Sequence, residues 1–339
     1  MREPRLDLTA SPHLHSPDST AKIMWTVVFS LLPIVAAAGY FFGISALLVI
    51  ATATLSTIAT ERLISGPEPL RNGSATITGI LLGLVLPAGM PLWMVVIGGV
   101  VSIGLGKAIF GGLGQNIFNP ALIGRAFLQA AFPQAITTWP VVGGSFFALK
   151  GDIFALPLMT PHAPDVVTHA TPLGMMKFEH AGTSIGSLFL GNVGGSLGET
   201  SALLILLCGA YLAYRNYLNW RIPASIMLTA GLFAAVLHAI NPVYPGGLFM
   251  LFSGGLMLGA VYMATDMVTS PITHRGCWIF GIGIGLLVVL IRVWGGLPEG
   301  VMYAILIMNS LVPFINRATQ PRVFGVETPS RLKRKAVVS

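Results

Sequence analysis

The sequence predicts an all-α polytopic membrane protein, with ten transmembrane segments arranged as two inverted five-helix repeats containing broken helices. Three observations predict it. Only 9% of the 339 residues are charged, where soluble domains carry about 25%, and the mean hydropathy is +0.79. The apolar residues gather into ten segments. When those segments are threaded alternately through a bilayer, the lysines and arginines collect on one side.

Composition narrows the class further. Hydrophobic residues make up 54% of the chain, which excludes a disordered protein. The 40 glycines and 23 prolines follow no Gly-X-Y period and suit membrane helices, where both are more frequent than in soluble ones. The net charge of +7 reads as membrane topology and implies no nucleic-acid partner. Cys208 and Cys277 lie in apolar runs and look like small core residues, with neither disulfide nor metal-ligand spacing. The polar first 20 residues have no signal-peptide cleavage pattern and read as a cytoplasmic tail.

The ten segments lie at roughly 22–40, 42–60, 75–88, 91–109, 118–132, 199–214, 220–240, 246–264, 276–293 and 297–315. A straight span needs about 20 residues, so several are short or broken. Segment 75–88 is stopped by Pro87 and Pro91. The run Gly111-Gly112-Leu113-Gly114-Gln115-Asn116 is no lipid-facing helix, so its backbone polar groups must be satisfied within the protein or line a cavity.

With the N-terminus inside, cytoplasmic ends and loops hold Arg2, Arg5, Lys22, Arg62, Arg71, Lys107, Arg215, Arg221, Arg275, Arg317, Arg322, Arg331, Lys333, Arg334 and Lys335, 15 of the 19 basic residues. Lys150, Lys177 and Arg292 fall outside and Arg125 within a span. The bias predicts an inner-membrane protein with both termini cytoplasmic, and the basic C-terminal tail suits an anionic lipid leaflet.

The organisation that follows is a cytoplasmic tail at 1–20, a five-span repeat at 21–132, a periplasmic loop at 133–198, a second five-span repeat at 199–316 and a basic cytoplasmic tail at 317–339. Five spans per half is odd, so the second half enters from the opposite side, as in inverted repeats. Lys107 and Arg292 each precede a Gly-Gly-Leu at the end of the fourth span of their half. Chance among 40 glycines would give the same match. The loop concentrates Asp152, His162, Asp165, His169, Glu179 and His180, and long loops of this kind are commonly functional.

Three stretches carry chemistry. The first is Asp165-Val166-Val167-Thr168-His169-Ala170-Thr171. The second is Gly111-Gly112-Leu113-Gly114-Gln115-Asn116-Ile117-Phe118-Asn119-Pro120-Ala121, whose asparagines offer donors and acceptors together, although Asn119 before Pro120 also fits a helix cap. The third is Ala264-Thr265-Asp266-Met267-Val268-Thr269-Ser270-Pro271. A carboxylate at a membrane boundary is a functional candidate by default, and Asp266 fits equally a cap or an ion pair with Arg275. His13 and His15 read as solvated residues of a polar tail.

These stretches, with Ser11-Pro12-His13-Leu14-His15-Ser16 and Asn72-Gly73-Ser74-Ala75-Thr76, resemble the NqrB/RnfD family. That family contains the D subunit of the Rnf electron-transport complex and the B subunit of the sodium-pumping NADH:quinone reductase. The resemblance implies FMN joined by a phosphodiester to Thr171, with Thr168 the fallback acceptor. It departs from the family's Asp-Gly-x-Ser/Thr-Gly-Ala-Thr signature at Val166 and His169. It also implies a noncovalent riboflavin near Gly112, Gln115, Asn116 and Asn119. An acceptor hydroxyl must be reachable by a flavin transferase, so Thr171 is expected on an exposed loop.

Length and tail favour the Rnf subunit, in a complex that couples electron transfer between ferredoxin and NAD to Na⁺ or H⁺ translocation. Electrons are expected to pass between this flavin and a second covalent-flavin subunit, with iron–sulfur subunits as further partners. No residue of this chain is expected to be catalytic alone or to bind a metal. There is no iron–sulfur cysteine cluster, no dinucleotide-binding domain, and no acidic series within the spans to suggest a proton relay. The alternatives are a solute or ion transporter without a redox role, and the quinone-reductase B subunit.

Overall fold

The structure is a computed structural model, which describes residues 18–67, 69–140, 142–157, 171–179, 181–191, 193–199 and 201–321. Asp165, Thr168, His169, His13 and His15 lie outside these residues. Each of the ten apolar segments is helical. The first half holds α1 (Thr20–Phe42), α2 (Ile44–Ser65), α3 (Ser74–Leu84), α4 (Leu92–Ile103, continued by a π turn at Gly104–Ala108) and α5 (Pro120–Ala131). Beyond it come α6 (Pro133–Ile136), α7 (Pro172–Gly174, continued by a π turn at Met175–Glu179) and α8 (Ile185–Leu190). The second half holds α9 (Ala202–Tyr214), α10 (Arg221–Ile240), α11 (Gly247–Phe252), α12 (Leu256–Leu258, continued by a π turn at Gly259–Met263), α13 (His274–Trp294) and α14 (Val301–Thr319).

Among the described residues, α1, α2, α10, α13 and α14 are long and apolar enough to cross a bilayer alone. The others are shorter. At 1.5 Å per residue, the 11 residues of α3 reach only about 16 Å. Segment 246–264 is interrupted at Ser253–Gly255, between α11 and α12. The chain is thus a helical membrane protein with broken helices.

The helices begin where polar side chains satisfy the free amides of the first turn. Ser19 Oγ accepts from Lys22 N (3.2 Å), Asn119 Oδ1 from Ala121 N (3.0 Å) and Thr273 Oγ1 from Gly276 N (3.0 Å). In lipid no hydrophobic force drives helices together, so close packing must hold them. Small residues supply it. A Cβ on Gly79 of α3 would lie 2.4 Å from Thr54 Cα of α2, and one on Gly99 of α4 would lie 1.9 Å from Ser56 Oγ. In the second half a Cβ on Gly281 of α13 would lie 1.7 Å from Ser225 Oγ of α10. Each serine turns its hydroxyl back to its own helix, Ser56 to Ala53 O and Ser225 to Ile222 O (both 2.9 Å).

The halves meet through buried side chains. Tyr262 of the π turn that continues α12 reaches Ser30 of α1, at 3.2 Å to both Oγ and the carbonyl. Parts of the long central connection cover one end of the bundle. Ile44 N donates to Phe146 O (2.8 Å), Leu92 N to Ile153 O (3.0 Å) and Leu197 N to Leu86 O (3.1 Å).

Candidate functional site

Two cavities hold three of the five expected site residues, Thr171, Asn116 and Asn119, and α5 runs from one cavity to the other. The outer cavity measures about 310 Å³ and includes Thr171, Gly174, Arg125, Gln129, Trp139, Phe178, Glu299 and Tyr303 in its wall. The inner one measures about 100 Å³, and its wall includes Lys107, Asn116, Asn119, Tyr262 and Asp266.

Thr171 is not on an exposed loop. It is 4% exposed, because Thr-Pro is a helix start. Thr171 caps α7 by accepting from Gly174 N (3.1 Å), and Pro172 takes the first helical position, where its missing amide costs nothing. The segment is fastened to the end of α13. Lys177 Nζ donates to Arg292 O (2.9 Å) and Leu297 O (3.2 Å), and also to Gly295 O. Partial burial lowers the Lys177 ammonium pKa below its ordinary value. Arg292, buried in α13, in turn donates to Met250 O (2.7 Å) and Ser253 O (3.0 Å). It thereby satisfies carbonyls freed where α11 breaks.

The glycine run owes its composition to its turn. Gly111, Gly112 and Gly114 have φ of +106°, +99° and +93°, which side chains with a Cβ rarely adopt. Its backbone is satisfied locally, Gly111 N donating to Ala108 O and Gly112 N to Lys107 O (both 3.1 Å). Gln115 is exposed, and neither it nor Gly112 is among the cavity-lining residues. Asn116 donates to Phe118 O (3.1 Å). Asn119 is the cap of α5, and it also donates to Met263 O across the two halves (3.2 Å). Asp266 accepts from Val268 N (3.3 Å) and Thr269 Oγ1 (3.4 Å). It forms no ion pair with Arg275 among the described residues.

Sequence reasoning missed three features. Lys107, 4% exposed, pairs with Glu61 of α2, 1% exposed, and donates to Ser74 Oγ (2.6 Å). Arg125 of α5 pairs with Glu299, just before α14. Asn309 of α14, with its amide oriented to satisfy both neighbours, accepts from Asn119 N and donates to Thr269 O (both 3.3 Å). Glu61 is buried, and Glu199 and Glu299, each partly buried, adjoin one another behind the outer cavity. Their signal was legible: an acid inside or beside an apolar run is costly and needs a partner.

The sequence from residue 7 to residue 325 matches the family described as NQR2, RnfD, RnfE. The chain belongs to that family. It is 41% identical over 344 residues, 99% of both chains, to the D subunit of a Na(+)-translocating ferredoxin:NAD(+) oxidoreductase complex of Acetobacterium woodii. It is also 41% identical over 333 residues, 94% of this chain and 96% of the other, to the D subunit of a proton-translocating ferredoxin:NAD(+) oxidoreductase complex of Clostridium ljungdahlii. The D subunit of an ion-translocating oxidoreductase complex of Stutzerimonas stutzeri is 42% identical, over 91% of this chain and 92% of its own. This member of the family thus aligns end to end with proteins named for different coupling ions.

The two cavities differ in what they can hold. Ligand pockets run from about 300 Å³ upward, so the outer cavity at about 310 Å³ reaches that range. Its wall offers aromatic faces (Trp139, Phe178, Tyr303), amide and hydroxyl groups (Gln129, Thr137, Thr171) and Arg125, whose guanidinium pairs with Glu299. That set fits a planar ring system with polar edges. The inner cavity, at about 100 Å³, lies below that range.

Proposed function

We propose that this chain is the D-type membrane subunit of an Rnf-type complex, an oxidoreductase that couples electron transfer between ferredoxin and NAD to Na⁺ or H⁺ translocation. The observation that carries the reading is the end-to-end likeness to D subunits, 99% of both chains in one case. FMN is attached through a phosphodiester to Thr171, and when bound it supplies one- and two-electron chemistry. The cavity wall beside Thr171 supports this assignment.

The residues of the chain hold and orient that group. Thr171 Oγ1 is the tether atom. Trp139 and Phe178 flank the space, and Arg125 offsets negative charge. Lys177 fixes the tethered segment to α13. Because Thr171 is 4% exposed, a flavin transferase must act before the 171–179 segment docks. The other partners are a second covalent-flavin subunit and iron–sulfur subunits.

The membrane arrangement is ten spans in two inverted repeats, with both termini cytoplasmic and residues 133–198 periplasmic in a bacterial inner membrane. It is supported by the matched glycine–serine seams, α4 on α2 and α13 on α10. It is also supported by the central connection packing on one end of the bundle.

Mass measurement of the peptide containing Thr171, from purified complex matured with its transferase, tests the flavin assignment. An added FMN phosphodiester, lost in Thr171→Ala together with the in-gel fluorescence of the band, is the expected result. An unmodified peptide from flavin-replete complex refutes it.

A further inference from the structure

Behind the outer cavity two carboxyl groups face each other. Glu299 lines the cavity and gives one oxygen, Oε2, to Arg125. Its other oxygen, Oε1, is buried and has no donor. The Glu199 carboxyl, ahead of α9, lies within hydrogen-bonding reach of Glu299, and Ser196 Oγ donates to Glu199 Oε1. An ionised carboxylate can only accept, so two facing carboxyls are satisfied together only when a proton lies between them.

Among the described residues, the other charges that act on these carboxyls are Arg125 from α5 and Arg292 from α13. Arg125 and Arg292 each keep a buried Nε without an acceptor. With one proton shared between two acids and two guanidinium groups nearby, the cluster carries one net positive charge against the cavity wall.

We propose that Glu199 and Glu299 form a proton-binding site behind the outer cavity, whose occupancy follows the charge of the group in that cavity. The identity of that group rests on the flavin reading above; the carboxyl pair itself does not. Negative charge added in the cavity raises the proton affinity of the pair, which then binds a further proton. One O–H bond forms on a carboxyl oxygen as one O–H bond of a hydronium ion breaks, and no electron enters the pair. Phe178, 67% exposed, forms part of the cavity wall, so the cavity reaches solvent. Electron arrival and proton uptake are thereby tied at a place where the halves are already joined by Arg125 and Glu299.

Infrared difference spectroscopy of the purified complex, oxidised against dithionite-reduced, tests the proposal. The expected result is a carboxylic-acid carbonyl band that grows on reduction, shifts in D₂O and is absent in Glu199→Gln. The slope of flavin potential against pH should flatten in the same variant. Glu199→Gln keeps the acceptor for Ser196 and leaves the Arg125–Glu299 pair intact; Glu299→Gln is the second variant. With the Thr171 adduct present by mass, no such band, or one that persists in both variants, overturns the proton site and leaves the flavin reading standing. With no adduct, the flavin reading fails. The band is then followed by pH titration of the unreduced complex, where one that titrates and vanishes in Glu199→Gln upholds the site and its absence overturns it.

Discussion

Replacing Glu61 by leucine would leave the Lys107 ammonium buried and uncompensated between α2, α3 and α4. The two side chains are 2% and 5% exposed, so solvent cannot screen the loss. Removing one partner of a buried ion pair costs about 3–5 kcal/mol. Lys107→Met should cost a similar amount, since Glu61 would then be the stranded charge. Ser74 Oγ also receives Lys107 Nζ at 2.6 Å, and a hydrogen bond from a charged donor contributes about 1.5–3 kcal/mol. Ser74→Ala should therefore destabilise less than either charge deletion. The double variant Glu61→Leu with Lys107→Met places apolar groups of similar volume where the pair stood, and such replacements are neutral or stabilising. Its cost should be far below the sum of the two single costs. The assay is equilibrium unfolding of the purified chain in mixed micelles with increasing SDS, followed by tryptophan fluorescence, for the four members of the cycle. A double variant whose loss equals that sum would show that the two charges act independently, and would refute the reasoning.

Other outcomes follow from the same geometry. Gly99→Ala and Gly281→Ala should each destabilise by about 1–3 kcal/mol through overpacking. Adding Ser56→Ala to the first and Ser225→Ala to the second should recover part of that loss in the same SDS titration. Lys177→Met should raise hydrogen exchange of amides 173–179 without moving the main unfolding midpoint, because it releases the docked segment from three carbonyl acceptors. Asp18→Asn should leave stability unchanged, because its pair with Lys22 (2.6 Å) is at the solvent-exposed start of α1 and such pairs contribute little.

The helices were legible because a bilayer demands long apolar runs, and every such run in the sequence is helical. Their breaks were legible where proline or repeated glycine interrupts the run, as at Pro87 and Gly111. The inward position of Thr171 was not readable, because threonine followed by proline marks a helix start without saying which way that start faces. The charge pairs were not readable, because Arg125 meets Glu299 across 174 positions and Glu61 meets Lys107 across 46. Local patterning carries no record of which distant acid a buried base will find. Asn309 escaped notice for the same reason: an isolated amide in an apolar helix gives no hint that it ties Asn119 to Thr269.

The π turn at Gly104–Ala108 sets a condition on how the gene can change. A π turn holds one residue more than the α-helical turn it replaces. Losing a single codon there would leave a regular helix, which backbone energetics would accept. The residues beyond it would keep nearly their bearing around the axis, because five residues of a π turn and four of an α-helical turn each complete about one revolution. Lys107 sits inside the widened turn, so the change would fall on the ammonium that reaches Glu61 and hardly at all on the helix beyond.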